Sequence, residues 1–115
     1  MSITIYHNPR CQKSRQTLAL LEQRGLQPRI VEYLKTPPSL AELKVLLRQL
    51  DLSARELLRT KEPEYKQLRL DNTALDDEVI LKAMMKCPKL IERPIVVNDA
   101  RAALGRPPEN VLRIL

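Results

Sequence analysis

The 115-residue chain has no Trp and no Phe, three Tyr, two Cys and one His. With so few aromatic faces it offers little on which the bases of a single strand could stack. Its 20 Lys and Arg against 14 Asp and Glu give a formal charge of +6, a field that favours anionic partners. No block of consecutive basic residues occurs, and the positive charges are interspersed with acids on helix-like segments, as on a solvated surface. A nucleic-acid partner is therefore not expected. Cys11 and Cys87 stand far apart, neither with a C-x-x-C or C-x-x-H neighbour, so the lone His7 cannot assemble zinc ligands with them at any recognised spacing. No metal site is expected. The opening Met1-Ser2-Ile3-Thr4-Ile5-Tyr6 is too short and too alternating for a signal peptide, and no later apolar run could span a bilayer. A soluble, cytoplasmic protein without a membrane partner is the expectation, with both thiols free in a reducing compartment.

No internal repeat, low-complexity tract or linker is present, and 43% apolar residues suffice for one modest core. A single domain over residues 1–115, monomeric, is expected. Ile3 to Tyr6 reads as a strand, broken by His7-Asn8-Pro9-Arg10 before a helical pattern from about Cys11 to Arg24, with Gly25 as terminator. Pro28 to Tyr33 reads as a second strand. A right-handed crossover through the helix would lay it parallel to the first. Ser39-Leu40-Ala41-Glu42 and Ser53-Ala54-Arg55-Glu56 fit the capping box, and Leu40, Leu43, Leu47 and Leu50 form an apolar stripe at helical spacing. A further helix is expected after Asp76, turning Val79, Ile80, Ala83 and Met84 inward until Pro88. Ile95-Val96-Val97, introduced by Pro94, reads as a buried strand, and the Asn98-Asp99 turn leads to an antiparallel return strand from Ala100 to Leu104. Pro107 suits the first turn of a closing helix that runs to Leu115. The order β-α-β, helical insert, β-β-α around a four-stranded mixed sheet is that of an α/β, thioredoxin-like domain.

Cys11 stands where the first helix begins. Free N–H groups and the dipole at a helix N-terminus stabilise an anion and lower a thiol's pKa from its free value of about 8.5. Arg10 and Lys13 add positive potential in this reading. A thiolate near neutral pH is the nucleophile of thiol chemistry, and the same N–H groups could cradle an oxyanion. Ser14, three residues on, replaces the second cysteine of a C-x-x-C pair. Cys11 therefore has no adjacent thiol with which to close a disulfide. Cys87 ends a helix before Pro88 with no motif of its own, which suits a structural or incidental thiol.

Four runs carry a resemblance: His7-Asn8-Pro9-Arg10-Cys11-Gln12-Lys13-Ser14-Arg15, Glu56-Leu57-Leu58-Arg59, Glu92-Arg93-Pro94-Ile95-Val96-Val97 and Gly105-Arg106-Pro107-Pro108. Together, in this order and spread from Ile3 to Leu115, they resemble the glutathione- and glutaredoxin-coupled arsenate reductases. The resemblance implies that Cys11 is the nucleophile that attacks arsenate to form a thiol-arsenate adduct. It likewise implies that Arg59, Arg93 and Arg106 bind the oxyanion and that His7 and Ser14 support the cysteine. No bound cofactor is implied. Glutathione would serve as co-substrate, arsenite would leave, and glutaredoxin would free the cysteine. Guanidinium groups suit such a substrate, since they present planar forks of donors with permanent charge. Thioredoxin-like domains also place a cis-proline before the third strand, which would aim Arg93 at Cys11. The active loop departs from well-studied members in carrying Arg10, Gln12 and Lys13 where those have smaller neighbours. Two rival readings are a glutathione-dependent thiol-disulfide reductase of the same fold and an RNA-polymerase-binding redox regulator. A disulfide needs no triple cationic clamp, and such regulators carry the C-x-x-C switch that Ser14 removes.

Overall fold

A computed structural model describes residues 2–115. The chain falls into two compact units, one formed by the chain up to Thr36 together with Arg93–Leu115, the other by Pro37–Glu92. The first unit holds the sheet. Strand β1 (Ile3–Tyr6) leads through the His7–Arg10 loop into helix α1 (Gln12–Gln23), and β2 (Arg29–Val31) follows. After the helical unit the chain returns as β3 (Ile95–Asn98) and β4 (Arg101–Leu104). The strand order is β2-β1-β3-β4. β1 pairs in parallel with β2, Ile5 opposite Ile30, and antiparallel with β3, Ile5 opposite Val96. β3 and β4 pair antiparallel through a turn at Asp99-Ala100, one residue later than the Asn98-Asp99 reading because Asn98 pairs with Arg101; Asp99, at φ 54°, sits in the left-handed region that Asp tolerates. This is the thioredoxin-like α/β arrangement.

The core of this unit follows from the period-2 alternation of its strands. Ile3, Ile5, Val96 and Ala103 face Leu21 of α1 and Val111 and Ile114 of the closing segment. Gly25, at φ +76°, ends α1 as expected. β2 is shorter than the Pro28-to-Tyr33 reading. Pro28 has no N–H for the ladder, and a turn starting at Glu32, whose carbonyl accepts from Lys35 and Thr36 N–H, takes the chain away after Val31. The closing helix is a 3-10 helix over Pro108–Ile114, with Pro107 as its extended cap rather than its first turn.

The second unit is helical: α2 (Leu40–Leu50), α3 (Ala54–Leu57), α4 (Pro63–Gln67), α5 (Asp77–Lys86) and a 3-10 turn over Pro88–Leu90. Both capping boxes form as read. Ser39 Oγ accepts from Glu42 N–H and Ser53 Oγ from Glu56 N–H, and each glutamate returns a carboxylate oxygen to its serine's N–H. The α2 stripe is Leu43, Leu46, Leu47 and Leu50, because Leu40, in the first turn, is only half covered. In α5, Leu81 joins Ile80 and Met84 inside, whereas Val79 is 45% exposed and Ala83 half-buried. Val79 lies one residue before Ile80 and so about 100° round the helix from the buried face. α4 had no counterpart in the sequence reading. It is short, with Pro63 as its first residue, and buries none of its side chains.

Candidate active site

The loop between β1 and α1 is built by its own sequence. Asn8 and Pro9 hold the first two positions of a β-turn closed by Cys11 N–H on the Asn8 carbonyl at 3.0 Å, and Asn8 Oδ1 accepts from Arg10 N–H at 3.0 Å. Asn at the first position and Pro at the second are what such a turn favours. The turn delivers Cys11, in extended conformation, to the N-cap of α1, just outside the helix that was expected to include it. Arg15 donates to the Pro9 carbonyl at 3.0 Å and fastens the loop to the helix.

Beneath the loop lies a buried polar pair. Ser14 is wholly buried, and its Oγ accepts from Asn8 N–H at 3.0 Å while lying 2.6 Å from His7 Nδ1. His7 is itself buried, and its backbone N–H extends the sheet by donating to the Val31 carbonyl. Burial holds the imidazole below its ordinary value; the Glu32 carboxylate opposes that and the Arg15 charge reinforces it. His7 is thus neutral near pH 7.

Cys11 is a free thiol, nearly covered by its surroundings. Burial pushes the thiol up, but the backbone N–H of Ser14, the Arg93 charge, the backbone N–H of Lys13 and a hydrogen bond from the Arg93 side chain together outweigh it, and the thiol is held below its ordinary value. The expected helix N-terminus effect is therefore present, carried by the two N–H groups at the second and third helical positions. The charge that acts most on the thiol is Arg93's rather than that of Arg10 or Lys13. Cys87 goes the other way: burial and the Glu64 carboxylate push its thiol up, against a smaller effect of Lys89.

Arg93 reaches Cys11, and the Arg93-Pro94 peptide that follows it is cis, as the sequence reading anticipated. The Arg106-Pro107 peptide is cis as well, which was not anticipated. Arg106 Nη1 lies 3.5 Å from the Arg93 carbonyl, so the two arginine segments meet across the end of the β3–β4 pair. Gly105 N–H donates to the Pro94 carbonyl at 2.9 Å and continues that ladder by one rung. Cys11, His7, Ser14, Arg93 and Arg106 all belong to the sheet unit. Arg59 belongs to the helical unit. Its backbone N–H is bound to the Leu90 carbonyl at 2.7 Å, and its guanidinium pairs with Glu62 at 2.7 Å and, more loosely, with Glu92 at 3.8 Å.

One residue of this neighbourhood escaped the sequence reading, and another entered it only as part of a motif. Thr17, one turn after Ser14 on α1, is fully buried and donates to the Lys13 carbonyl at 2.8 Å. Gly105 lies against Thr17 and Pro94 so closely that a Cβ there would overlap Thr17 Oγ1 and stand 2.7 Å from Pro94 Cγ. Gly105 had entered the sequence reading only as the first residue of the Gly105-Arg106-Pro107-Pro108 run, which gave no sign of its close contacts.

The model of the ArsC family matches residues 6–114. The chain belongs to the ArsC family. It is 53% identical to the uncharacterized protein YfgD of Escherichia coli, over 98% of this chain and 96% of that one. It is 51% identical to an arsenate reductase of Neisseria meningitidis, over 98% and 97% of the two chains. The solved structure of an arsenate reductase from Vibrio cholerae matches with a TM-score of 0.98 at 54% identity, covering 100% of this chain and 98% of that one. Within this ArsC-family chain, no three His, Cys, Asp or Glu among the described residues are grouped to hold a metal ion. No helix among the described residues is long and apolar enough to cross a membrane.

Proposed function

We propose that the chain is an arsenate reductase whose nucleophile is Cys11. The observation that carries this reading is the covered thiol at the N-cap of α1, held below its ordinary pKa and touched by a guanidinium. The ArsC-family match over nearly the whole chain supports arsenic(V) as the centre attacked. In the first step the Cys11 thiolate attacks arsenic, an As–O bond breaks, and the oxygen leaves as water after protonation. Arg93 and Arg106 stabilise the charge on the remaining oxygens, and Arg59 is the third candidate for that role.

Ser14 cannot resolve the adduct, so the second thiol is external. A glutathione thiolate attacks the Cys11 sulfur, the S–As bond breaks, and its electron pair stays on arsenic. Arsenic(V) thereby becomes arsenic(III), arsenite departs, and the two thiols are left as a mixed disulfide. Glutaredoxin thiolate then attacks the glutathione sulfur and frees Cys11. Two thiols are oxidised for each arsenate reduced, with one water released. His7 and Ser14 hold the Asn8 turn and, through it, the Cys11 backbone, so they position the nucleophile.

The test is a coupled assay that follows NADPH loss with arsenate, glutathione, glutaredoxin and glutathione reductase. Arsenate-dependent turnover is expected, absent in Cys11→Ser and with thioredoxin as the sole donor little or none. Rapid reduction of a glutathione mixed disulfide without any arsenate-dependent turnover would replace this reading by a general thiol-disulfide reductase.

A further inference from the structure

Two cations beside the nucleophile have no task in the resting protein. Arg10 and Lys13 flank Cys11 in sequence and are exposed, whereas Cys11 is nearly covered. Among the described residues neither side chain takes part in an ion pair, and the loop is held instead by the Arg10 backbone N–H and by Arg15. The thiol does not draw its leading charge stabilisation from them either, since Arg93 supplies it and Lys13 contributes a backbone N–H. Their side chains are exposed to solvent, one on the residue before Cys11 and the other in the first turn of α1 after it. There they act on what approaches rather than on the sulfur itself.

Unpaired guanidinium and ammonium groups exposed beside a reactive group attract anions and speed encounter with them, an effect that added salt screens. Their reach from neighbouring backbone positions suits a small flexible molecule that carries carboxylates some distance from its reacting sulfur. We infer that Arg10 and Lys13 form the recognition site for the carboxylates of glutathione as its sulfur meets the Cys11 sulfur. This rests on the external thiol being glutathione, as proposed above, but not on arsenate being the oxyanion. Arg15, occupied by the Pro9 carbonyl, has no part in it.

Exchange between reduced Cys11 and a disulfide tests the inference without arsenate. The Cys11 thiolate attacks one sulfur of glutathione disulfide, the S–S bond breaks, and one glutathione thiolate leaves as the mixed disulfide forms. The second-order rate is measured by mass spectrometry for the Cys87→Ser protein and for the same protein with R10Q and K13Q, using glutathione disulfide and the uncharged hydroxyethyl disulfide in parallel. The ratio of the two rates should fall by about fivefold in the doubly neutralised variant, and 0.5 M salt should bring the parent's ratio down towards the variant's. Circular dichroism and the thiol's own titration check that fold and nucleophile are intact. An unchanged ratio overturns the inference while leaving the glutathione reading in place, as does an equal loss with both disulfides, which would mean that the charges act on the thiolate. Absence of any glutathione adduct on Cys11 in the parent overturns both.

Discussion

Gly105 is the place where one methyl group should disturb both stability and chemistry. An alanine Cβ there would overlap Thr17 Oγ1, stand 2.7 Å from Pro94 Cγ and 3.1 Å from Thr17 Cγ2. Thr17 cannot swing aside cheaply, because it is wholly buried and its hydroxyl is bound to the Lys13 carbonyl at 2.8 Å. Pro94 is a ring held between Arg93 and β3. Relief must come from separating α1 from the Pro94 segment, a form of overpacking that costs about 2 kcal/mol. With a urea slope of about 2 kcal/mol/M for a chain of this size, the midpoint should fall by about 1 M at unchanged slope. The same separation draws Arg93 from Cys11, so the thiol, followed by thiolate absorbance near 240 nm, should titrate closer to its ordinary value. Thr17→Ala removes Oγ1 and Cγ2 but leaves the Pro94 contact. The double variant should therefore recover about half of the Gly105→Ala loss, giving a coupling of about 1 kcal/mol. A Gly105→Ala protein with wild-type midpoint and thiol titration, or a strictly additive double variant, would refute the reasoning.

Arg93→Ala should move the Cys11 titration upward and slow its alkylation at neutral pH, since it removes both the charge and the hydrogen bond that Arg93 supplies; Arg93→Lys should restore part of the effect, because lysine keeps the charge without the fork. A short iodoacetamide pulse near pH 7 followed by peptide mass spectrometry should label Cys11 before Cys87, whose thiol is pushed up by burial and by Glu64; the reverse order would remove Cys11 from the nucleophile's role. Ser14→Ala strands His7 Nδ1 and the Asn8 N–H and should cost about 2 kcal/mol in denaturant titration. Because His7 is held below its ordinary value, the unfolded chain takes up that proton first as pH falls. Stability should then decline below about pH 6.5, the unperturbed value, level off beneath the folded-state value, and lose this component in His7→Gln.

Much of the fold was legible because its signals act within one helical turn. Ser39 and Ser53 each precede a glutamate by three residues, and both boxes closed as read. Gly25 ended α1 where its backbone tolerance placed it, whereas the β3–β4 turn fell at Asp99-Ala100, one residue later than read, because Asn98 pairs with Arg101. Errors came where the outcome depended on a neighbour distant in sequence. Which leucines of α2 and which residues of α5 are buried is decided by the helices they pack against, so Leu46 and Leu81 went in and Val79 stayed out. The length of β2 depended on a turn at Glu32 that the apolar pattern of Ile30, Val31 and Tyr33 concealed.

By itself the sequence determined that Cys11 stands at a helix N-terminus without a partner thiol, since a strand, an Asn-Pro turn and a helix follow one another within a dozen residues and their local preferences agree. Only the tertiary structure decided which charge acts on that thiol. Arg10 and Lys13 are its sequence neighbours, yet both side chains are exposed to solvent. Arg93, distant along the chain, is brought to the sulfur by the register that sets β3 beside β1. Such an approach is a property of strand pairing between remote segments, which spacing within the sequence does not encode; only the family resemblance had aimed Arg93 at Cys11.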